Sequence, residues 1–397
     1  MKQHSLAIAL IGCLCSWKTQ AQSFENDIAY YAATKDIPAL FFEKATETIR
    51  TERSYAALED CLKNKQRAKA VLGFTRQNRP VEVYYFPGTS NKRALIIGGM
   101  HGSELSSIEL AMNIVQRLAN GSRSYYDVLI IPSLFPDNAA AAQINRGTKK
   151  AVNAGRYTTG SSADPNRQMP ELGKEFSEAA PFDYNGRMIE KENQYLLQLI
   201  QEYKPCRIAN LHAIRDVAKA GIYADPRTDC KGRALGFETD SLLALSMANY
   251  ICDNGGWVPG NQLPTSPTAL YHNDPSPATA GDWQKRNLHG SVLPQDRGHG
   301  VSLGGWAATA VCDENDNLVR NAIKLITVEF PGYKASAAYR GRVEKERCRF
   351  NIQLYSAAVV SVFLSPVCED DNPGTEQFTT FIQSPTARRP QWDTPHR

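Results

Sequence analysis

Residues 93–110 read RALIIGGMHGSELSSIEL. Ala94 to Ile97 form an apolar run of strand length, and a glycine pair ends it. Leu105, Ile108, Met112, Val115 and Leu118 then repeat at helical spacing. The turn between strand and helix holds His101 and Glu104, three residues apart. That spacing lets an imidazole nitrogen and a carboxylate converge on one metal ion. The plainer reading is a polar turn that opens a helix. Two ligands make no metal site, so a third donor decides between them.

Outward from this turn, "RPVEVYYF" before it and "YDVLIIPSL" after it read as further strands. "ENQYLLQLIQEY" is helical and leads into the strand "CRIANLH". "SLLALSMANYICDN" is another helix, "AIKLITVEF" a late strand, and a closing helix is expected over about 335–364. Strands alternating with helices, several short and apolar enough to be central, imply an α/β fold on a largely parallel sheet. His212 ends the strand "RIANLH", where a third ligand would stand. Taken alone it is a strand-end histidine with an ordinary partner. Glu329 sits inside the apolar "LITVEFPG". A buried carboxylate is costly there and calls for a role, either as a catalytic base or as the partner of a buried arginine. The coincidence of all three in this order makes residues 101–104 a metal turn.

Composition bounds the partners. Apolar residues at 42% support a sizeable core, and a net charge of +4 without a dense basic stripe argues against nucleic acid. Lys2, the apolar run Leu6–Leu14 and Thr19-Gln20-Ala21 read as a secretory signal over 1–21, so the protein is expected to be exported, periplasmic or secreted. Leu10-Ile11-Gly12-Cys13 offers a competing lipoprotein anchor through Cys13. No later run reaches the roughly 18–20 residues of a membrane span. Residues 22–70 read as an N-terminal helical segment, 71–365 as the catalytic domain and 366–397 as a flexible polar tail. Seven scattered cysteines remain beyond the signal, an odd number, and in an oxidising compartment some of them would pair.

The ordered set "LGFTRQNRPVEVYYF", "IIGGMHGSE", "IIPSLFPDN", "DPNR", "NLH" and "TVEFP" resembles the zinc carboxypeptidase family of the carboxypeptidase A type over roughly 70–365. The resemblance implies a mixed, mainly parallel sheet of about eight strands between helices. It implies one Zn2+ held by His101, Glu104 and His212, with Glu329 as general base. Asn166 and Arg167 would grip the substrate's terminal carboxylate, for which a planar guanidinium is suited.

The chain departs from the family after the Pro-Asp turn. Gln143 aligns with the arginine that polarises the scissile carbonyl, and Arg146 follows three residues later as the favoured electrophile. "TKKAVNAGRYTTGSSA" lengthens the segment before Asp164, and no tyrosine occurs over 272–332, where digestive members place one over the substrate. "GVSLGGWA" there is similar to the bacterial murein peptide amidase branch. The expected function is therefore zinc-dependent hydrolysis of an amide next to a terminal residue with a free carboxylate, with a peptide or muropeptide as substrate. The alternatives are an N-acyl amino acid deacylase of the succinylglutamate desuccinylase/aspartoacylase type and a zinc-retaining, non-catalytic peptide-binding module. Gly300-Val-Ser302-Leu-Gly304 also matches the nucleophile elbow of serine hydrolases, but no strand precedes it. Side-chain preference is expected to come from 255–305, where Asp282, Arg286 and Arg297 are the charged residues of interest.

Overall fold

The computed structural model describes residues 55–144, 154–158, 162–233, 235, 237–262 and 300–366, all within one unit, Ala39–Arg397. The expected leader, residues 22–54, Arg146, Asp282, Arg286, Arg297 and the tail from 367 lie outside the described residues.

Helix α1 (Tyr55–Lys63) leads into strands β1 (Ala68–Phe74), β2 (Pro80–Phe86) and β3 (Arg93–Ile97). Helix α2 (Leu105–Ala119), β4 (Asp127–Ile131) and α3 (Pro136–Ile144) come after them. Next are α4 (Lys191–Tyr203), β5 (Arg207–Ile214), β6 (Gly221–Asp225) and α5 (Phe237–Asp253). The last elements are α6 (Leu303–Ala307), β7 (Val311–Cys312), β8 (Leu318–Arg320), β9 (Lys324–Pro331) and α7 (Arg342–Ala358).

The main sheet runs β1-β2-β4-β3-β5-β9-β6. Its four central strands, β4, β3, β5 and β9, are mutually parallel, while β1, β2 and β6 are antiparallel to their neighbours. The mixed sheet expected from the motifs is thus present, with seven strands among the described residues rather than about eight. Strands β7 and β8 form a separate small sheet.

The central strands are buried along most of their length because helices cover both faces. Helices α1, α4 and α6 share one core with Leu95, Ile97, Leu129, Ile131, Ile208 and Leu325. The alternate residues Ile96, Ile130, Leu211 and Ile326 are equally buried, and α2, α5 and α7 pack on one another across the other face. Leu58, Cys61 and Leu62 of α1 belong to the first core, so this helix packs directly on the sheet.

Strand order and two glycines position the turn at 98–104. Strand β3 lies between β4, which comes next in the chain, and β5, which comes much later. Connections that diverge to opposite sides leave a crevice at the carboxyl ends of the strands. Gly99 takes φ +64 in the turn after β3, a left-handed conformation that glycine adopts without steric cost. Gly102 lies so close to Asn138 and Ala139 of α3 that a Cβ would approach Ala139 N to 2.3 Å. The turn is therefore pressed against α3, and its two side chains face the crevice.

Candidate functional site

His101, Glu104 and His212 meet in that crevice, and one ligand atom from each lies within 4.8 Å of the others. Their exposures are 3%, 5% and 4%, so the cluster is buried rather than a chance of surface charge. Glu104 is the N-cap of α2 but makes no side-chain cap bond, which leaves its carboxylate to turn toward the crevice. There Oε2 accepts from the Ala213 N–H at 3.0 Å and lies 3.1 Å from His212 Nδ1. His101 Nδ1 stands 2.9 Å from Glu104 Oε1, and the two imidazole rings are 5.0 Å apart.

Asp164 orients the first histidine. Its Oδ1 sits 2.8 Å from His101 Nε2 and also accepts from the Asn166 N–H. A carboxylate at Nε2 holds the proton on that nitrogen and turns the Nδ1 lone pair toward the crevice. His101 Nδ1 and His212 Nε2 are both buried with no hydrogen-bond partner. Two orphaned imidazole nitrogens beside a buried carboxylate are the donor set zinc takes, so these residues fit the ion that the resemblance implies. Burial opposes ionisation of Glu104, but His101 and His212 hold its carboxyl well below the usual range. Asp164 is held low in the same way by His101 and Arg156.

Glu329 pairs in register with His212 across β5 and β9. Its carboxylate makes no hydrogen bond among the described residues, and burial pushes its pKa up against the opposing pull of His212. A carboxylate held ready but unengaged beside the ligand cluster is placed to move a proton. Asn166 and Arg167 lie in a short 3-10 turn, Pro165–Arg167, that Asp164 caps. Asn166 Oδ1 accepts from the Leu303 N–H at 3.1 Å. Arg167 donates only to the backbone oxygen of Asn166, and no carboxylate among the described residues pairs with it. Its guanidinium is left for an anion from outside.

The structure also supplies residues that the motifs do not single out. Arg156 donates from Nη1 to Glu104 Oε1 at 2.7 Å and from Nη2 to Asp164 Oδ2 at 3.1 Å. Its loop is pinned by the bond from the Ser103 N–H to Gly155 O and by Asn138 Nδ2 donating to Tyr157 O. No spacing rule marks this arginine, because it lies in the lengthened segment and only folding back brings it to Glu104. Asp164 is legible as the first residue of "DPNR", but the motif by itself gives it no role. Gln143, the residue aligned with the carbonyl-polarising arginine, is exposed near the end of α3. Ser302 of the elbow-like motif caps α6, accepting from the Gly305 N–H at 3.0 Å. It has a structural partner, as the cap of a short helix.

The family model for zinc carboxypeptidase (Peptidase_M14) matches residues 55–232. No curated protein matches the chain. Among solved structures it is similar to a protein assigned as a metallopeptidase from Shewanella amazonensis SB2B (16% identity, 78% of this chain and 91% of the other, TM-score 0.40). Another is assigned as a succinylglutamate desuccinylase/aspartoacylase from Shewanella frigidimarina NCIMB 400 (12%, 78% and 74%, TM-score 0.38). A third is bovine thrombin-activatable fibrinolysis inhibitor in complex with tick carboxypeptidase inhibitor (13%, 78% and 95%, TM-score 0.41). These are distant likenesses. The family match, however, spans both histidines and the glutamate between them: residues 55–232 match the zinc carboxypeptidase family model.

Proposed function

We propose that this protein is an exported zinc-dependent carboxypeptidase or peptide amidase that releases a terminal residue bearing a free carboxylate, with cell-wall peptides as its substrate class. The observation that carries the reading is the convergence of His101, Glu104 and His212 opposite an unengaged Glu329. Zinc bound by these three residues would acidify a water molecule and polarise the scissile carbonyl.

The chain's own groups account for the rest. Arg167, with the side-chain NH2 of Asn166, receives the substrate's terminal carboxylate through charge-assisted hydrogen bonds. Glu329 takes a proton from the attacking water and returns it to the leaving nitrogen, a task for which a raised pKa is suited. Arg156, whose Nη1 lies 2.7 Å from Glu104 Oε1, is placed to meet negative charge developing on the carbonyl oxygen, a task assigned by resemblance to Arg146. Retention of Glu329 speaks for turnover over a binding module, since a pure binding site has little use for a base there. Export is supported by the leader-like residues 1–21 and by the disulfide Cys230–Cys312, a bond that persists in oxidising compartments.

The test is a mass-spectrometric digest in which the zinc-loaded protein meets short peptides, N-acyl amino acids and murein tripeptide. Release of diaminopimelate from the tripeptide, abolished in Glu329→Gln with zinc retained, is the expected result. Cleavage confined to N-acyl amino acids would replace the proposal with the deacylase, and zinc binding without any turnover would replace it with the binding module.

A further inference from the structure

The backbone oxygen of Arg167 is held by a second arginine that the proposed chemistry does not use. Arg187 donates from Nη2 to Arg167 O at 2.8 Å and from Nε to Asp183 Oδ2 at 2.7 Å. The Asp183 side chain is fully buried, and its other oxygen accepts from the Asn185 and Arg187 N–H groups at 2.9 and 2.8 Å. The Asp183 N–H donates in turn to Arg187 O at 2.8 Å, so the two ends of this turn close on each other. A carboxylate that binds both the backbone and the Nε of one arginine fixes the plane of its fork. The turn also rests on the chain just past the 3-10 turn, because the Tyr184 N–H donates to Met169 O at 3.1 Å.

The segment before α6 presses on the same oxygen. Gly300 takes φ +100, and a Cβ there would stand 2.2 Å from Arg167 O and 2.9 Å from Arg187 Nη2. Glycine thus lets the chain close over both groups. Beyond it the Met169 N–H donates to Val301 O at 3.2 Å, and the Leu303 N–H holds Asn166 Oδ1. The buried Asn193 of α4 donates from Nδ2 to Pro165 O at 2.9 Å, and Arg167 itself donates from Nη1 to Asn166 O at 2.8 Å. Each backbone oxygen of the turn Pro165–Arg167 therefore has a side-chain donor, and at Arg167 that donor is Arg187. A single 3-10 turn has few and poorly aligned bonds of its own, so its shape depends on such donors.

We propose that Arg187, locked by Asp183, is a positioning residue for the carboxylate grip: it fixes the backbone of Arg167 and so aims that guanidinium and the Asn166 side-chain NH2 at the terminal carboxylate. This rests on the reading of Asn166 and Arg167 as the groups that receive that carboxylate. Two parallel hydrogen bonds require the fork to be placed within roughly 0.5 Å. Fixing it before the ligand arrives removes an ordering cost from binding. With Nη2 on a backbone oxygen and Nε on a carboxylate, Arg187 acts through Arg167 rather than on the substrate.

Calorimetric binding to the zinc-loaded Glu329→Gln protein tests the proposal without turnover. The probes are murein tripeptide and trialanine, each as the free acid and as its terminal amide. The acids are expected to bind at least ~10-fold more tightly than the amides, the worth of a charge-assisted hydrogen bond, and Arg167→Ala is expected to erase that preference. Arg187→Ala is expected to weaken the acids about 10-fold and leave the amides unchanged, whereas a merely structural loss would weaken both alike. Asp183→Asn keeps an oxygen for the two backbone N–H groups but turns an NH2 toward Arg187 Nε, and is expected to reproduce the selective loss. Arg187→Lys keeps the charge without the two-armed fork and is expected to lose the preference as well. Full acid preference in Arg187→Ala or Arg187→Lys, or an equal loss of acid and amide, would overturn the positioning role. Equal binding of acid and amide before any change at 187, or no binding of either peptide, would remove the carboxylate grip and the inference with it. Selective loss seen with trialanine, while the tripeptide does not bind, would keep the positioning role and remove the cell-wall reading.

Discussion

At the scale of single residues, the site is a set of charges that hold one another in place. Asp164 fixes the tautomer of His101, Arg156 bridges Asp164 and Glu104, and the Ala213 N–H anchors the far oxygen of Glu104. These roles separate on substitution. Asp164→Ala removes the group that presents the His101 lone pair, and chelator competition is expected to show zinc affinity about 10–100-fold lower. Arg156→Ala touches no metal donor other than Glu104. It is expected to retain zinc while kcat falls by roughly 10²–10³-fold, the cost of losing one electrophilic donor. Normal turnover in Arg156→Ala, with loss in Arg146→Ala, would return the electrophile to Arg146. The residue types are legible in the sequence, since H-x-x-E, "NLH" and "DPNR" name six of the site positions. Arg156 is not: it works through a contact made in three dimensions and lies in no motif with fixed spacing.

At the scale of elements, the first turn of α4 carries a buried acid with consequences for folding. Glu192 is pushed to about 7 by burial, and the nearby Glu190 and Asp137 add to the rise while Arg76 opposes it. Between the ordinary glutamate value of 4.5 and about 7 the folded chain keeps a proton that the unfolded chain has released. The stability from this group is complete below the lower value and is lost as pH rises through the upper one, a change on the order of 3 kcal/mol at most. Urea denaturation at pH 5 and pH 8 should therefore show stability falling toward the higher pH, with Glu192→Gln losing that part of the fall. A flat wild-type profile would contradict the burial argument. Elements with strong periodicity, such as α2 and α4, lie where the spacing of Leu105–Leu118 and "ENQYLLQLIQEY" places them. Strands β1 and β6 escape the sequence pattern for a physical reason. "AKAVLGF" is interrupted by Lys69 and Gly73, and "GIYAD" is five residues long and ends before a proline, so their pairing partners define them as strands.

For the molecule as a whole, Cys230–Cys312 joins residues 82 positions apart, the segment after β6 to strand β7. Closing so long a loop restricts the unfolded chain, and such bonds typically contribute about 2–5 kcal/mol. Thermal unfolding with and without reductant is expected to show a melting temperature several degrees lower when the bond is open, and Cys230→Ser should reproduce the shift without reductant. An unchanged transition would show that the bond is absent or without weight. Cys230–Cys312 is the disulfide recorded among the described residues, so reductant acts on this bridge within that part of the chain.

The sequence by itself determined the alternation of strands and helices, the metal turn at 101–104 and the identity of the residues able to bind zinc and move a proton. Those features are local, because hydrophobic period and turn chemistry are written in neighbouring residues. The tertiary structure alone decided which side chains meet. It set His212 in register with Glu329, folded the lengthened loop so that Arg156 reached Glu104, and placed Arg187 against the backbone oxygen of Arg167. Contacts between residues tens or hundreds of positions apart depend on strand order and on the packing of both sheet faces. Those arise from the free energy of the whole core rather than from any stretch read alone.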